Sequence, residues 1–166
     1  MIRTLETISE TTGRLVAWLT LAMVLVTFGI VLARYGFNAG SVAVQESVTY
    51  MHAIVFLLGA GYTLKLDQHV RVDIFYHRFP PRRQAWVNLL GVLLLLLPTC
   101  GFILWTSLDY VVASWTANDG HGEASREAGG LPWVYLLKTL IPLFCVSLIL
   151  QGVALALSSL RRLREG

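Results

Sequence analysis

The stretch that decides the fold is AWVNLLGVLLLLLPTCGFILWTSL, residues Ala85 to Leu108. It carries no formal charge, and in its centre, Val92 to Leu97, every side of a helix is apolar. A helix of a water-soluble bundle shows one apolar stripe and a polar back, so this one is not built for water. A hydrocarbon core of about 30 Å needs roughly 20 helical residues. Backbone groups in lipid must be bonded within the segment, which makes it a helix and not a strand. Leu15–Ala33, Val48–Leu64 and Thr139–Leu160 are uncharged in the same way. The second of these reaches span length when Val44, Gln45 and Glu46 enter the interface, and the last is expected to begin earlier, near Pro132. The chain therefore reads as an all-α integral membrane protein. It forms one four-helix transmembrane domain over residues 1–166, with spans at about 15–34, 45–65, 85–108 and 132–160.

Composition agrees. The 166 residues are 55% hydrophobic and 14% charged, with a mean hydropathy of +0.64, whereas a soluble domain is about 25% charged. Disorder is excluded by the high hydrophobicity, and a disulfide scaffold by the presence of only two cysteines. Leu15–Ala33 exceeds the apolar core of a signal peptide, and Arg34-Tyr35-Gly36-Phe37 offers no small-residue cleavage site. It reads as a retained first helix.

Charge sets the expected orientation. Ten of the 13 Lys and Arg lie in the N-terminal tail (Arg3, Arg14), the loop after the second span (Lys65, Arg71, Arg78, Arg82, Arg83) and the C-terminal tail (Arg161, Arg162, Arg164). The loop from Trp115 to Leu131 has Arg126 against Asp119, Glu123 and Glu127. Basic loops stay in the cytoplasm, so both termini are expected inside (N-in/C-in) and the acidic loop outside. Ile2, Leu5 and Ile8 are spaced for a short amphipathic N-terminal lead-in on the inner surface. Trp18, Trp86, Trp105, Trp115 and Trp133 fall near span ends, where amphipathic rings favour the headgroup zone. Pro98 and Pro142 are expected to kink their spans, and Pro132 to sit in the first turn of the last helix.

Intramembrane ionisable groups are the first place to look for chemistry. Glu46 opens the second span, and Tyr50 shares its face one turn later. Such a carboxylate either carries protons or a cation, or is hydrogen-bonded to a neighbouring helix or partner. His52 is a lone histidine on another face, read as a packing or hydrogen-bonding residue. Asp109 and Lys138, near the outer ends of the last two spans, either pair or snorkel to the interface. His69, His77 and His121 lie outside the spans, so two axial haem ligands cannot be assembled, and no zinc-type spacing exists. No nucleophile motif or phosphate-binding loop is present. The chain is expected not to be an enzyme and to hold no metal or cofactor, and its basic residues need no nucleic acid to explain them. Gly59-Ala60-Gly61 permits close helix approach, and Gln151-Gly152 offers a hydrogen bond to a neighbour. Together these describe a packing subunit that works with something larger.

The order of several short motifs resembles one family. Ala33-Arg34-Tyr35-Gly36-Phe37-Asn38 closes the first helix, Glu46 opens the second, and Leu58-Gly59-Ala60 follows. Then come His69-Val70-Arg71-Val72-Asp73, Gly130-Leu131-Pro132-Trp133, Lys138, Pro142 and Gln151-Gly152. From about Arg14 to Leu160 this resembles the small permease (DctQ-like) subunits of tripartite ATP-independent periplasmic (TRAP) transporters. Gln45 stands where that family often has a second acid. The resemblance implies a bacterial inner-membrane scaffold subunit beside a large multi-span permease subunit of elevator type. A periplasmic solute-binding protein would deliver a carboxylate-type solute, and sodium coupling is expected in the large subunit. An assembly subunit of another inner-membrane complex is the main alternative. A self-contained four-helix transporter is disfavoured, because the first span lacks a carboxylate. Asp119, Glu123, Arg126 and Glu127 are expected near the docked binding protein. His69, Arg71 and Asp73 are expected to fix the inner loop against the span ends through charge-assisted hydrogen bonds. Arg71→Ala should then lower the yield of the assembled complex, and unchanged assembly and uptake would count against that role.

Overall fold

The structure is a computed structural model and describes residues 2–66, 76 and 78–165, with side chains described from residue 10 onward apart from 14 and 165. Its helices are α1 (Ile2–Phe37), α2 (Val42–Lys65), α3 (Pro81–Gly91), α4 (Leu97–Trp115) and α5 (Val134–Glu165). A π-turn, Val92–Leu96, joins α3 to α4 in one continuous third span. Four segments are long and apolar enough to cross a membrane: Glu10–Phe37, Val42–Lys65, Pro81–Trp115 and Val134–Arg164. The motif residues His69, Arg71 and Asp73 lie outside the described residues.

Each helix exceeds the uncharged stretch that revealed it. The N-terminal lead-in is helical from Ile2 and runs without a break into the first span. α4 continues to Trp115, so Trp105 stands about 15 Å inside the helix end rather than at it. α1 stops at Phe37 because Asn38 takes a left-handed conformation (φ 49°) and Ala39 N–H bonds back to the Ala33 carbonyl at 3.0 Å. Asparagine is one of the few side chains that tolerates this, which gives the motif residue Asn38 a structural task. Ser41 then caps α2 by accepting from Val44 N–H at 3.5 Å. α5 begins at Val134, with Trp133 O accepting from Leu136 N–H at 3.0 Å. Pro132 therefore precedes the first turn rather than occupying it. At Pro98 the irregularity is the π-turn just before it, in which Leu97 N–H reaches the Val92 carbonyl.

The spans do not pack in chain order. α1 lies against α2, α2 against α5, and α5 against α3, the π-turn and α4, with a smaller contact between α1 and α5. α5 is thus the central helix: a third of its most apolar stretch is buried, against 6% for the first span. Small residues make this possible. A Cβ on Gly61 would lie 3.4 Å from the Ser147 carbonyl oxygen, and one on Gly152 would lie 2.7 Å from a Leu96 methyl in the π-turn. A Cβ on Gly13 would lie 2.3 Å from the Tyr62 ring, so α1 also meets α2 at a glycine. Cys145 (0% exposed), Cys100 and Leu148 form the core between α4 and α5, joined by Ala60 and Leu64 of α2. Both cysteines are free and buried and behave as small hydrophobes.

Gly61→Leu should force α2 off α5 and destabilise the protein by about 1–3 kcal/mol, the usual cost of overpacking. Gly101→Leu, where a Cβ meets nothing within 4 Å, should lie within about 0.5 kcal/mol of the parent. Thermal unfolding in detergent separates the two.

Candidate functional site

α1 and α2 meet tail to head, as do α4 and α5, so one end of the bundle carries the tails and the other carries residues 116–133. This second end is a bonded cap rather than a free loop. Its chain turns through three consecutive left-handed residues, Asn118 (φ 52°), Asp119 (φ 57°) and Gly120 (φ 85°), and through Gly122 (φ 83°). Asn and Asp tolerate that region better than other side chains. Asn118 Nδ2 bonds the Gly122 carbonyl at 2.8 Å. Gly122 also has to be glycine for space, since a Cβ there would lie 2.5 Å from the Tyr135 ring. Backbone bonds from Glu123 N–H to Ser114 O (2.9 Å) and from Val134 N–H to Glu123 O (3.0 Å) lay the cap across the ends of α4 and α5.

Two carboxylates hold the cap to the helices. Glu46, in the second turn of α2, accepts the Ser125 hydroxyl on Oε1 and the Leu131 backbone N–H on Oε2 at 2.6 Å. Ser125 in turn accepts Glu127 N–H at 3.2 Å, and Ser125 N–H bonds the Leu131 carbonyl at 3.0 Å. Gly130 packs so tightly here that a Cβ would lie 2.5 Å from Ser125 Oγ and 2.8 Å from Glu46 Oε1. The second carboxylate, Glu123, accepts the Ser114 hydroxyl at 2.7 Å and forms an ion pair with Lys138 of α5. The Lys138 ammonium also lies 4.0 Å from the centre of the Tyr110 ring, a cation–π contact. Trp115 Nε1 donates to Thr139 Oγ1 at 2.9 Å, and its ring meets Tyr135 edge-on at 4.6 Å.

Lys138 pairs with Glu123, and Asp109 is exposed on α4. Glu46 is hydrogen-bonded within the chain, to Ser125 and Leu131 of the cap. Tyr50, one turn on, has its hydroxyl buried with no hydrogen-bond partner among the described residues. His52 is exposed and stacks on Phe56 at 6.3 Å. Among the described residues, no group of three His, Cys, Asp or Glu could hold a metal ion.

The cap brings together Glu46, Gly130, Glu123 and Lys138 of the motif and loop residues. Arg34 and Tyr35 are exposed at the end of α1, and Pro132 is exposed just before α5. Gln151 and Gly152 lie in α5 toward the other end, Gln151 buried at 4% exposure. Asp119, Arg126 and Glu127 are exposed, while Glu123 is engaged inside the cap. Sequence reasoning missed Ser125, Ser114 and Tyr110. The nearest signal in the sequence is Gly130, where a Cβ would meet Ser125.

Four helices of span length define a multi-pass membrane protein. Residues 23–162 match the family described as tripartite ATP-independent periplasmic transporters, DctQ component, and the chain belongs to that family. Its members are transporter subunits and not enzymes. Over 79 residues the chain is 33% identical to a protein of Haemophilus influenzae described as a TRAP transporter small permease protein. Over 78 residues it is 33% identical to the C4-dicarboxylate TRAP transporter small permease protein DctQ of Vibrio cholerae. These matches cover 48% and 47% of this chain, and the chain spans 48% and 34% of the two relatives' lengths. No solved structure matches it.

The Lys138 ammonium beside Glu123 holds that carboxyl below the usual carboxylate range, and the Ser114 hydroxyl adds to the effect against a smaller desolvation. A carboxylate with a depressed folded-state pKa stabilises the fold above its unfolded-state value and loses that contribution as pH falls through the folded one. The unfolding midpoint should therefore stay level from about pH 7 to about pH 5 and fall below about pH 4.3. Glu123→Gln should make that fall shallower. In the same way, Glu46→Ala should raise hydrogen exchange at Leu131 and leave the α4–α5 core protected.

Proposed function

We propose that this chain is the small, scaffold-like membrane subunit of a tripartite ATP-independent periplasmic transporter in a bacterial inner membrane. It holds in place a large multi-span permease subunit, which carries the sodium and solute sites and moves as an elevator. A periplasmic binding protein delivers the solute, which is of carboxylate type. Family membership over residues 23–162 carries this reading. Two observations support the division of labour. The polar contacts of Glu46, Glu123 and Lys138 at the cap are made within the chain. The helices leave a wide apolar surface, including Leu21, Leu25, Phe28 and Leu32 of α1, for lipid or a partner. Ten of the 13 Lys and Arg at one end support cytoplasmic termini and an outward cap.

The cap then faces the binding protein. A bonded platform presenting Asp119, Arg126 and Glu127 suits docking by charge complementarity, which acts chiefly on the rate of encounter. The test is uptake of a labelled dicarboxylate by a strain lacking this chain, with and without the chain restored. Uptake should need the chain and a sodium gradient and persist when ATP is depleted. Reversing both exposed acids, Asp119→Lys with Glu127→Lys, should slow uptake at low binding-protein concentration and spare it at saturation. Uptake that is unchanged without the chain would overturn the reading.

A further inference from the structure

The end of the bundle opposite the cap holds a cavity of about 350 Å³ between the end of α2, the start of α3 and the last turns of α5. The void between α1 and α2, near Gly29 and Gly40, is lined almost wholly by apolar and small residues. This one is lined instead by Lys65, Gln84, Asn88, Gln151, Ser159 and Arg162, among others. No Asp or Glu is among its described lining residues.

The wall is built rather than incidental. Gln84 Nε2 donates to the Tyr76 and Phe79 carbonyls at 3.2 and 3.1 Å and fixes the rim. Asn88 Nδ2 donates to the Tyr76 hydroxyl at 2.9 Å. Gln151 and Ser159 are 4% and 2% exposed, so polar side chains stand deep between the helices. Of the two cations, Lys65 is neutralised by Glu10 at 2.8 Å. Arg162 makes no ion pair among the described residues. It offers a planar guanidinium, which matches a phosphate with two parallel hydrogen bonds. The level is also right, because the cavity sits where α2 ends at Lys65 and α3 begins at Pro81. Basic pockets between membrane helices at headgroup depth hold anionic lipid head groups.

We propose that this cavity binds a phosphate-bearing anion, with Arg162 as its charged ligand and the amide and hydroxyl groups of Asn88 and Ser159 as neutral donors. The source is a phospholipid head group or free phosphate. This goes beyond the transporter reading and does not depend on it, since the cavity lies within one chain.

The full-length chain, with whatever co-purifies, is reconstituted in equimolar phosphatidylglycerol and phosphatidylcholine, extracted in mild detergent and examined by native mass spectrometry. Phosphatidylglycerol should be retained over phosphatidylcholine by about fivefold, the factor expected of one basic residue at this depth. Arg162→Gln should abolish the preference. Arg161→Gln, the same charge change on a neighbour that does not line the cavity, should keep it. If free phosphate is the ligand, inorganic phosphate should instead raise the unfolding midpoint of the parent and not of the Arg162→Gln variant. Equal behaviour of parent and Arg162→Gln in both measurements would overturn the proposal. So would an equal loss in the two arginine variants, which would mean a merely basic surface.

Discussion

The close approach of α5 to its neighbours is the constraint on which the rest of this structure depends. Lipid tails are as apolar as leucine, so burial alone does not drive membrane helices together, and close contact has to do so. Here it comes from glycine and small polar residues. Gly61 of α2 sits against the Ser147 backbone, Gly152 of α5 against Leu96, and Cys145 and Ser159 have almost no exposed surface. The π-turn belongs to the same contact. Its Val92 side chain is buried in the cluster with Leu89 of α3 and Ala156 of α5. With α5 occupied in this way, α1 is left at the side, held mainly by α2 through Gly13 and Tyr62.

The cap depends on that arrangement. Glu46 belongs to α2 and Lys138 to α5, and each is bound to a residue of the 116–133 segment. The segment can satisfy both only if α2 and α5 keep their relative position, so the cap and the α2–α5 contact reinforce each other. With Ser125 and Leu131 as donors from its own chain, Glu46 ties the cap to α2.

The four spans were legible because lipid imposes a length and an absence of charge that the sequence displays directly. Helix ends were less so. Trp105 looked terminal because charge begins at Asp109, yet the helix runs on to Trp115. Pro132 looked like a first-turn proline, and the helix starts two residues later. In both places hydrogen bonding to neighbouring segments, not local composition, sets the boundary. The candidate site was legible only in part. Glu46, Gly130 and Lys138 stood out, but their partners did not. Ser125 is 79 residues from Glu46 in sequence, and an ordinary loop serine carries no mark of such a bond. Glu123 resembled the other loop acids until its bonds to Ser114 and Lys138 separated it from the exposed Asp119 and Glu127.

Much of α1 and of the third span is apolar and exposed, while Glu46, Glu123 and Lys138 at the cap are bonded within the chain. The most direct test of the account is affinity purification of the chain from its native host in mild detergent, with the co-eluting proteins identified by mass. A large multi-span permease subunit should co-elute in stoichiometric amount. A chain that emerges alone as a stable homo-oligomer would contradict it.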